Sequence, residues 1–196
     1  MKKFSLIFLT FTCFNSFLFA ADVFKYDISG IRLGMSGEQA VSAIEKFYGN
    51  DASIETLKAK NQYTKKEEIV SIVSRIGENT KVMVQLAPRL ASNLNSVVSE
   101  VYYFTGPWTE KGYKDLQSAS SKKYGKPTTI EGQTYYWCAN TKEHCVNQPY
   151  LSLSYQSGGG MRSSTITSLV LTASSLYRQE ISDKQESLKK MDKPRF

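Results

Sequence analysis

Residues 30–44, G-I-R-L-G-M-S-G-E-Q-A-V-S-A-I, constrain the fold more than any other stretch. Ile31 and Leu33 alternate with Arg32 as in a short extended segment. Gly34 permits a turn that a side chain would hinder, and Ser36 has the chemistry of a helix N-cap. Gln39, at the third position after Ser36, completes a capping box. Ala40, Val41, Ile44, Phe47 and Tyr48 then recur at helical spacing and define an apolar stripe that Gly49 stops. A chain that opens this way must lay an amphipathic helix on some surface, and the rest of the sequence has to supply it.

Residues 51–64 are polar and read as a loop. Three strands are expected next, at 68–76, 81–87 and 96–104, with Gly77-Glu78-Asn79 as the turn between the first two. Val82, Val84 and Leu86 share one face of the middle strand, which sends Lys81, Met83 and Gln85 to the other. Gly106-Pro107 ends this unit. Thr109 then caps a second helix to about Tyr124, with Tyr113, Leu116, Ala119 and Ser120 on its inner stripe, and Gly125-Lys126-Pro127 stops it. Three further strands follow at 133–138, 150–156 and 165–173. In the middle one Leu151, Leu153 and Tyr155 oppose Ser152, Ser154 and Gln156. Val82 and Leu151, like Val97 and Ile166, recur at one constant offset, as a duplication would produce.

The expectation is therefore an α+β fold of two helix-plus-three-strand antiparallel units with the helices covering one face of the sheet. The divisions are 1–20 (leader), 21–105 (first unit), 106–174 (second unit) and 175–196 (charged tail). In the tail, Leu176, Ile181, Leu188 and Met191 give a weak apolar stripe suited to a marginal surface helix.

Ile31-Arg32-Leu33-Gly34-Met35-Ser36, followed by Gln39 and an apolar helix, resembles the opening of the SmpA/OmlA family of bacterial envelope proteins. Tyr124-Gly125-Lys126-Pro127, Tyr135-Tyr136-Trp137 and Leu151-Ser152-Leu153-Ser154-Tyr155 are similar to the later part of that pattern. Two such units in tandem resemble the β-lactamase-inhibitor-protein fold. That resemblance implies helices on one side of a sheet and a protein partner on the other. The family's barrel-assembly members carry a lipid-modified N-terminal cysteine, whereas Cys13 here sits inside the apolar run behind the bulky Phe11.

Lys2 and Lys3 precede an apolar run over 4–21 that ends in small residues, the pattern of a secretory signal peptide cleaved near Ala20 or Ala21. The expected location is periplasmic, with secretion as the alternative. The net charge of +7 falls to +5 without Lys2 and Lys3, and the basic residues are spread along the sequence. Nothing in that distribution forms a nucleic-acid stripe, so no nucleic-acid partner is expected. Cys138 and Cys145 are close in sequence, and in an exported chain they are expected to form a disulfide. A metal reading would add His144, but no further cysteine or histidine completes a zinc set, so neither metal nor cofactor is expected.

Catalytic constellations do not assemble. His144 is the only histidine and reads as a solvated loop residue. Ser36 has capping to do and lacks the glycine spacing of a nucleophile elbow, and Gly158-Gly159-Gly160 lacks the lysine of a phosphate loop. Glu67 and Glu68 are adjacent on a strand and point to opposite faces. The aromatic residues are more informative, because strand alternation must turn some of them away from the helices.

The expected function is an exported, non-enzymatic binding protein. It would dock a sheet face on an envelope or secreted protein in an inhibitor, immunity or envelope-assembly accessory role. The face expected to do this carries Lys81, Met83, Gln85, Ser152, Ser154 and Gln156, flanked by Tyr135 and Trp137. The alternatives are a carrier or sensor of a small apolar or cell-wall-derived ligand, and a hydrolase with an unrecognised site. A weak membrane-surface contact through the charged tail stays open as well.

Overall fold

In the computed structural model, helix α1 (Gly37–Tyr48) begins where the capping box requires. The Gln39 amide donates to Ser36 Oγ at 3.3 Å, and the Ser36 amide donates to Gln39 Oε1 at 2.9 Å. Residues 22–61, 64–89, 95–106, 109–140, 143–156 and 166–191 are described. The leader with Ala20 and Ala21, the Gly158–Gly160 tip and the last five positions of the tail lie outside them. The described residues form three α-helices and one eight-stranded antiparallel sheet, an α+β arrangement.

The strands run β1 (Ala52–Lys60), β2 (Glu67–Ile76), β3 (Thr80–Ala87), β4 (Val97–Thr105), β5 (Thr129–Glu131), β6 (Thr134–Cys138), β7 (Tyr150–Gln156) and β8 (Ile166–Thr172). Their order across the sheet is β1-β2-β3-β4-β8-β7-β6-β5, so β4 and β8 meet at the centre. Two strands go beyond the sequence expectation. The loop read at 51–64 is largely β1, an edge strand paired along β2. Its exposed, lysine-bearing character is how an unpaired sheet edge is kept from recruiting other strands, and it removes the apolar alternation that marks an inner strand. β5 is a three-residue edge strand.

One face of the sheet carries the core. Ile72, Val82, Val84, Val101, Leu151, Leu153 and Leu171 are fully buried there together with Ala40 and Ile44 of α1. Gly37 has no room for a side chain, because a Cβ would come within 2.8 Å of Ile69 Cβ. Phe47, placed on the inner stripe by periodicity, is 61% exposed, so the buried stripe of α1 is narrower than its pattern.

Helix α2 (Glu110–Tyr124) is capped by Thr109, whose Oγ1 accepts from the Gly112 amide at 3.2 Å. It lies over β6 and β7 through aromatic rings: Tyr113 against Tyr155 at 4.8 Å, and Tyr124 edge-on to Trp137 at 6.1 Å. Ala119, expected inside, is exposed, while Ser120 is buried. The segment before α1 crosses to this helix. Tyr124 Oη donates to the Asp27 carbonyl at 2.6 Å, Tyr26 Oη donates to the Tyr124 carbonyl at 3.2 Å, and Lys123 pairs with Asp27 at 2.9 Å. The extended opening predicted around Leu33 is then joined to β4: the Gly34 amide donates to the Val98 carbonyl and the Val98 amide to the Met35 carbonyl.

Helix α3 (Ser174–Met191) follows β8 directly and spans the weak stripe from Leu176 to Met191. Tyr177 anchors it in the core, and Glu180 pairs with Arg89 at 3.6 Å. Cys138 and Cys145 form the expected disulfide, with Cα atoms 5.6 Å apart and both residues buried.

Candidate functional site

The sheet face opposite α1 and α2 is built by alternation. In β3, Val82 and Val84 are buried while Lys81, Met83 and Gln85 are half-buried on the other side. In β7, Leu151 and Leu153 face the core, and Ser152 and Ser154 face away. Gln156 is paired in the backbone with Ile166, and its side chain lies outside the described residues. The register then sets which residues stand side by side. Met83, Tyr102, Val170, Ser152 and Tyr136 form one row across β3, β4, β8, β7 and β6. Lys81, Phe104, Ser168, Ser154 and Thr134 form the next. Five of the eight residues expected on this face are therefore brought together on it.

Tyr135 and Trp137 are not. Trp137 lies opposite Leu151 and Tyr135 opposite Leu153, and directly paired residues of antiparallel strands share a face. Both therefore point to the core. Trp137 has no exposed surface, and its Nε1 donates to the Gly125 carbonyl at 2.8 Å. Tyr135 packs near Tyr113 with ring centroids 6.5 Å apart. The aromatic residue that β6 turns outward is the one between them, Tyr136, which sits edge-on to Tyr150 at 5.7 Å.

Two residues missed by the sequence reading of this face are Tyr102 and Phe104. They occupy alternate positions of β4 and are stacked within 3° of parallel at 5.9 Å. Tyr102 Oη donates to Glu100 Oε2 at 2.6 Å, and Thr172 Oγ1 donates to the other carboxylate oxygen at 3.3 Å. Burial, then the Glu100 carboxylate as acceptor and as charge, pushes the Tyr102 phenol far up. Burial with Tyr136 and Glu100 nearby raises Tyr150 too. Both are neutral hydroxyls across the physiological range.

The face is ridged. On β4 the Tyr102–Phe104 pair forms one ridge and Tyr136–Tyr150 forms the other. The small residues of β8 and β7 lie between them, with Ser154 Oγ and Ser168 Oγ 2.7 Å apart and Ser152 only 7% exposed. Beside the first ridge a groove of 640 Å³ opens against the β2–β3 turn, with Met83, Phe104 and Ile166 as its apolar lining and Arg75 and Lys81 at its rim. The Arg75 guanidinium is held by Glu55 on β1.

No family model, curated protein or solved structure matches the chain. What the face can do has to come from its own chemistry. Stacked rings beside a groove with charge at its rim suit non-covalent recognition, in which aromatic anchors supply area. Away from this face, His144 stands 3.9 Å from Glu131 beside a 290 Å³ pocket at the disulfide, with its side chain 81% exposed. Among the described residues no group of three His, Cys, Asp or Glu side chains could hold a metal ion.

Proposed function

We propose that this protein is an exported binding module that docks the open face of its sheet on an envelope or secreted protein and carries out no chemistry of its own. The observation that carries the reading is the Tyr102–Phe104 stack beside the Met83 groove, on the face turned away from α1 and α2. Large, rotamerically stiff side chains on a preformed surface are what a protein interface uses as anchors. The chain order of a helix and four strands, given twice, with β4 and β8 as the joined last strands, supports reading the molecule as two related units. It also supports keeping the SmpA/OmlA-like and inhibitor-like resemblance as a guide to partner type. The disulfide is compatible with a periplasmic location.

A photo-crosslinking amino acid placed at Met83 or Phe104, with Ser42 on the exposed side of α1 as control, tests the face in intact cells. The expected result is one protein adduct from the first two positions and none from Ser42. Adducts of equal yield from all three, or none from any, would rule the face out. Fractionation of the same cells tests the location. A second reading, transport or sensing of a small apolar ligand, rests on the 640 Å³ groove. It predicts that Met83→Glu abolishes ligand uptake while the crosslinks to protein are absent in wild type.

A further inference from the structure

The Tyr102 ring of the open face is held from both sides along its own strand. Glu100, Tyr102 and Phe104 alternate on β4 and face the same way, with Gln85, Met83 and Lys81 as their partners on β3. The phenol hydroxyl donates to Glu100 Oε2 at 2.6 Å, and the ring lies within 3° of parallel to Phe104. A hydrogen bond from O–H to carboxylate at that distance is charge-assisted and about twice as strong as a neutral one. Glu100 is half-buried, and a carboxylate drawn out of water costs free energy unless donors meet it. Tyr102 is one such donor, and Thr172 Oγ1, 3.3 Å from Glu100 Oε1, is the other.

The direction of the Tyr102 bond limits what its oxygen can do next. A phenol has a single proton, and here Glu100 takes it, so the oxygen offers a partner its lone pairs only. Donation to a carboxylate also polarises the phenol and makes that oxygen a stronger acceptor. Arg178, exposed in the second turn of α3, is the cation whose charge reaches Tyr102 and Tyr150, and its Nη2 donates to Ser174 Oγ at 3.3 Å. Glu100 and Arg178 oppose each other as charges at this corner of the face. An ionic group therefore gains little there, and a neutral N–H or O–H is the group that fits. Met83, directly opposite Tyr102, and Phe104, stacked on it, line the neighbouring groove and call for an apolar side chain next to that donor.

We infer that Glu100 is a positioning residue of the docking face: it fixes Tyr102 as a hydrogen-bond acceptor, so that the face selects a protein segment with a neutral donor beside an apolar side chain. The assignment rests on the docking proposed above and adds the polarity of one contact to it.

A double-mutant cycle tests it, with the photo-crosslinking amino acid at position 83 as reporter and expression kept below the level at which adduct formation saturates. Tyr102→Phe keeps the ring and removes the acceptor, and should lower the adduct yield about three- to tenfold. Glu100→Val should lower it comparably in the Tyr102 background but by less than about twofold in the Tyr102→Phe background, because the carboxylate acts through the phenol. The change in net charge is the same in both backgrounds and cancels from the comparison. Circular dichroism confirms that each variant is folded, and Glu100→Thr, also too short to reach the phenol, replaces Glu100→Val if the latter does not fold. Equal losses from Glu100→Val in both backgrounds, or an unchanged yield from Tyr102→Phe, would overturn the assignment while leaving the docking intact. A gain in yield from Glu100→Val would overturn the polarity, since the released proton would then be bonding the partner. Absence of any adduct in the wild-type background would overturn the docking itself, and the role of Glu100 with it.

Discussion

Trp137 and Tyr136 are neighbours on β6, and they divide the molecule. Trp137 points into the core, has no exposed surface and is bonded to Gly125 and packed on Tyr124. Tyr136 points the other way, half-buried against Tyr150. The same contrast runs through the middle of β3 and β7: valine and leucine on one side, lysine, methionine and serine on the other. Stability is concentrated on one face, so residues of the other can be chosen for recognition at little cost to folding.

The strongest way to break this comparison is to truncate both neighbours. Trp137→Ala should destabilise the fold by about 3–5 kcal/mol, through lost burial and the cavity left behind. Tyr136→Ala should cost about 1 kcal/mol. Urea denaturation reads both, and similar midpoints would mean the two faces are not energetically distinct.

Overpacking on the core side comes next. Gly37→Ala places a Cβ 2.8 Å from Ile69 Cβ, where α1 rests on β2, and overpacking of this kind costs about 1–3 kcal/mol. Thermal melting would show it, and an unchanged midpoint would mean that α1 can lift off β2 freely.

Glu68 sharpens the comparison at the start of β2, where a buried carboxylate is held by hydrogen bonds. Desolvation raises its carboxyl, but donation from Ser96, Asn61 and Thr64 outweighs this, and the net shift is downward. A carboxyl lowered in the folded state adds stability that is complete above its unfolded value, about 4.3, and is lost as pH falls through the folded value. Glu68→Gln should cost about 1–3 kcal/mol at pH 7 and flatten the acid side of the stability profile. An unaltered profile would show that the clamp does not couple to folding.

The smallest effect belongs to the Asp27–Lys123 pair. Both partners are partly exposed, and Lys123→Ala should change the urea midpoint by less than about 1 kcal/mol. A larger loss would mean that the segment before α1 relies on charge more than on Tyr26 and Tyr124.

Legibility in the sequence follows the same division. The capping box of α1 and the alternation in β3 and β7 could be read directly, because each places apolar residues on one side only. The run Thr134-Tyr135-Tyr136-Trp137-Cys138 could not, since it is apolar on both sides and its orientation is set by pairing with β7. Val97-Val98-Ser99-Glu100-Val101-Tyr102-Tyr103-Phe104 is ambiguous for the same reason. That hid the Tyr102–Phe104 ridge. β1 was hidden by the opposite property: an edge strand rich in polar residues carries no apolar period.

The β4–β8 seam also fixes an order of events. Strands β1 to β4 can pair as soon as residue 105 is available, but β4 then ends the sheet with an unmatched row of amides and carbonyls. Its partner is β8, the last of the described strands. A nascent polypeptide therefore carries an open inner edge until residue 172 has emerged. Such edges recruit foreign strands. Premature termination anywhere between Thr105 and Ile166 leaves a sticky half-sheet, so quality-control machinery would have reason to recognise truncated copies of this protein.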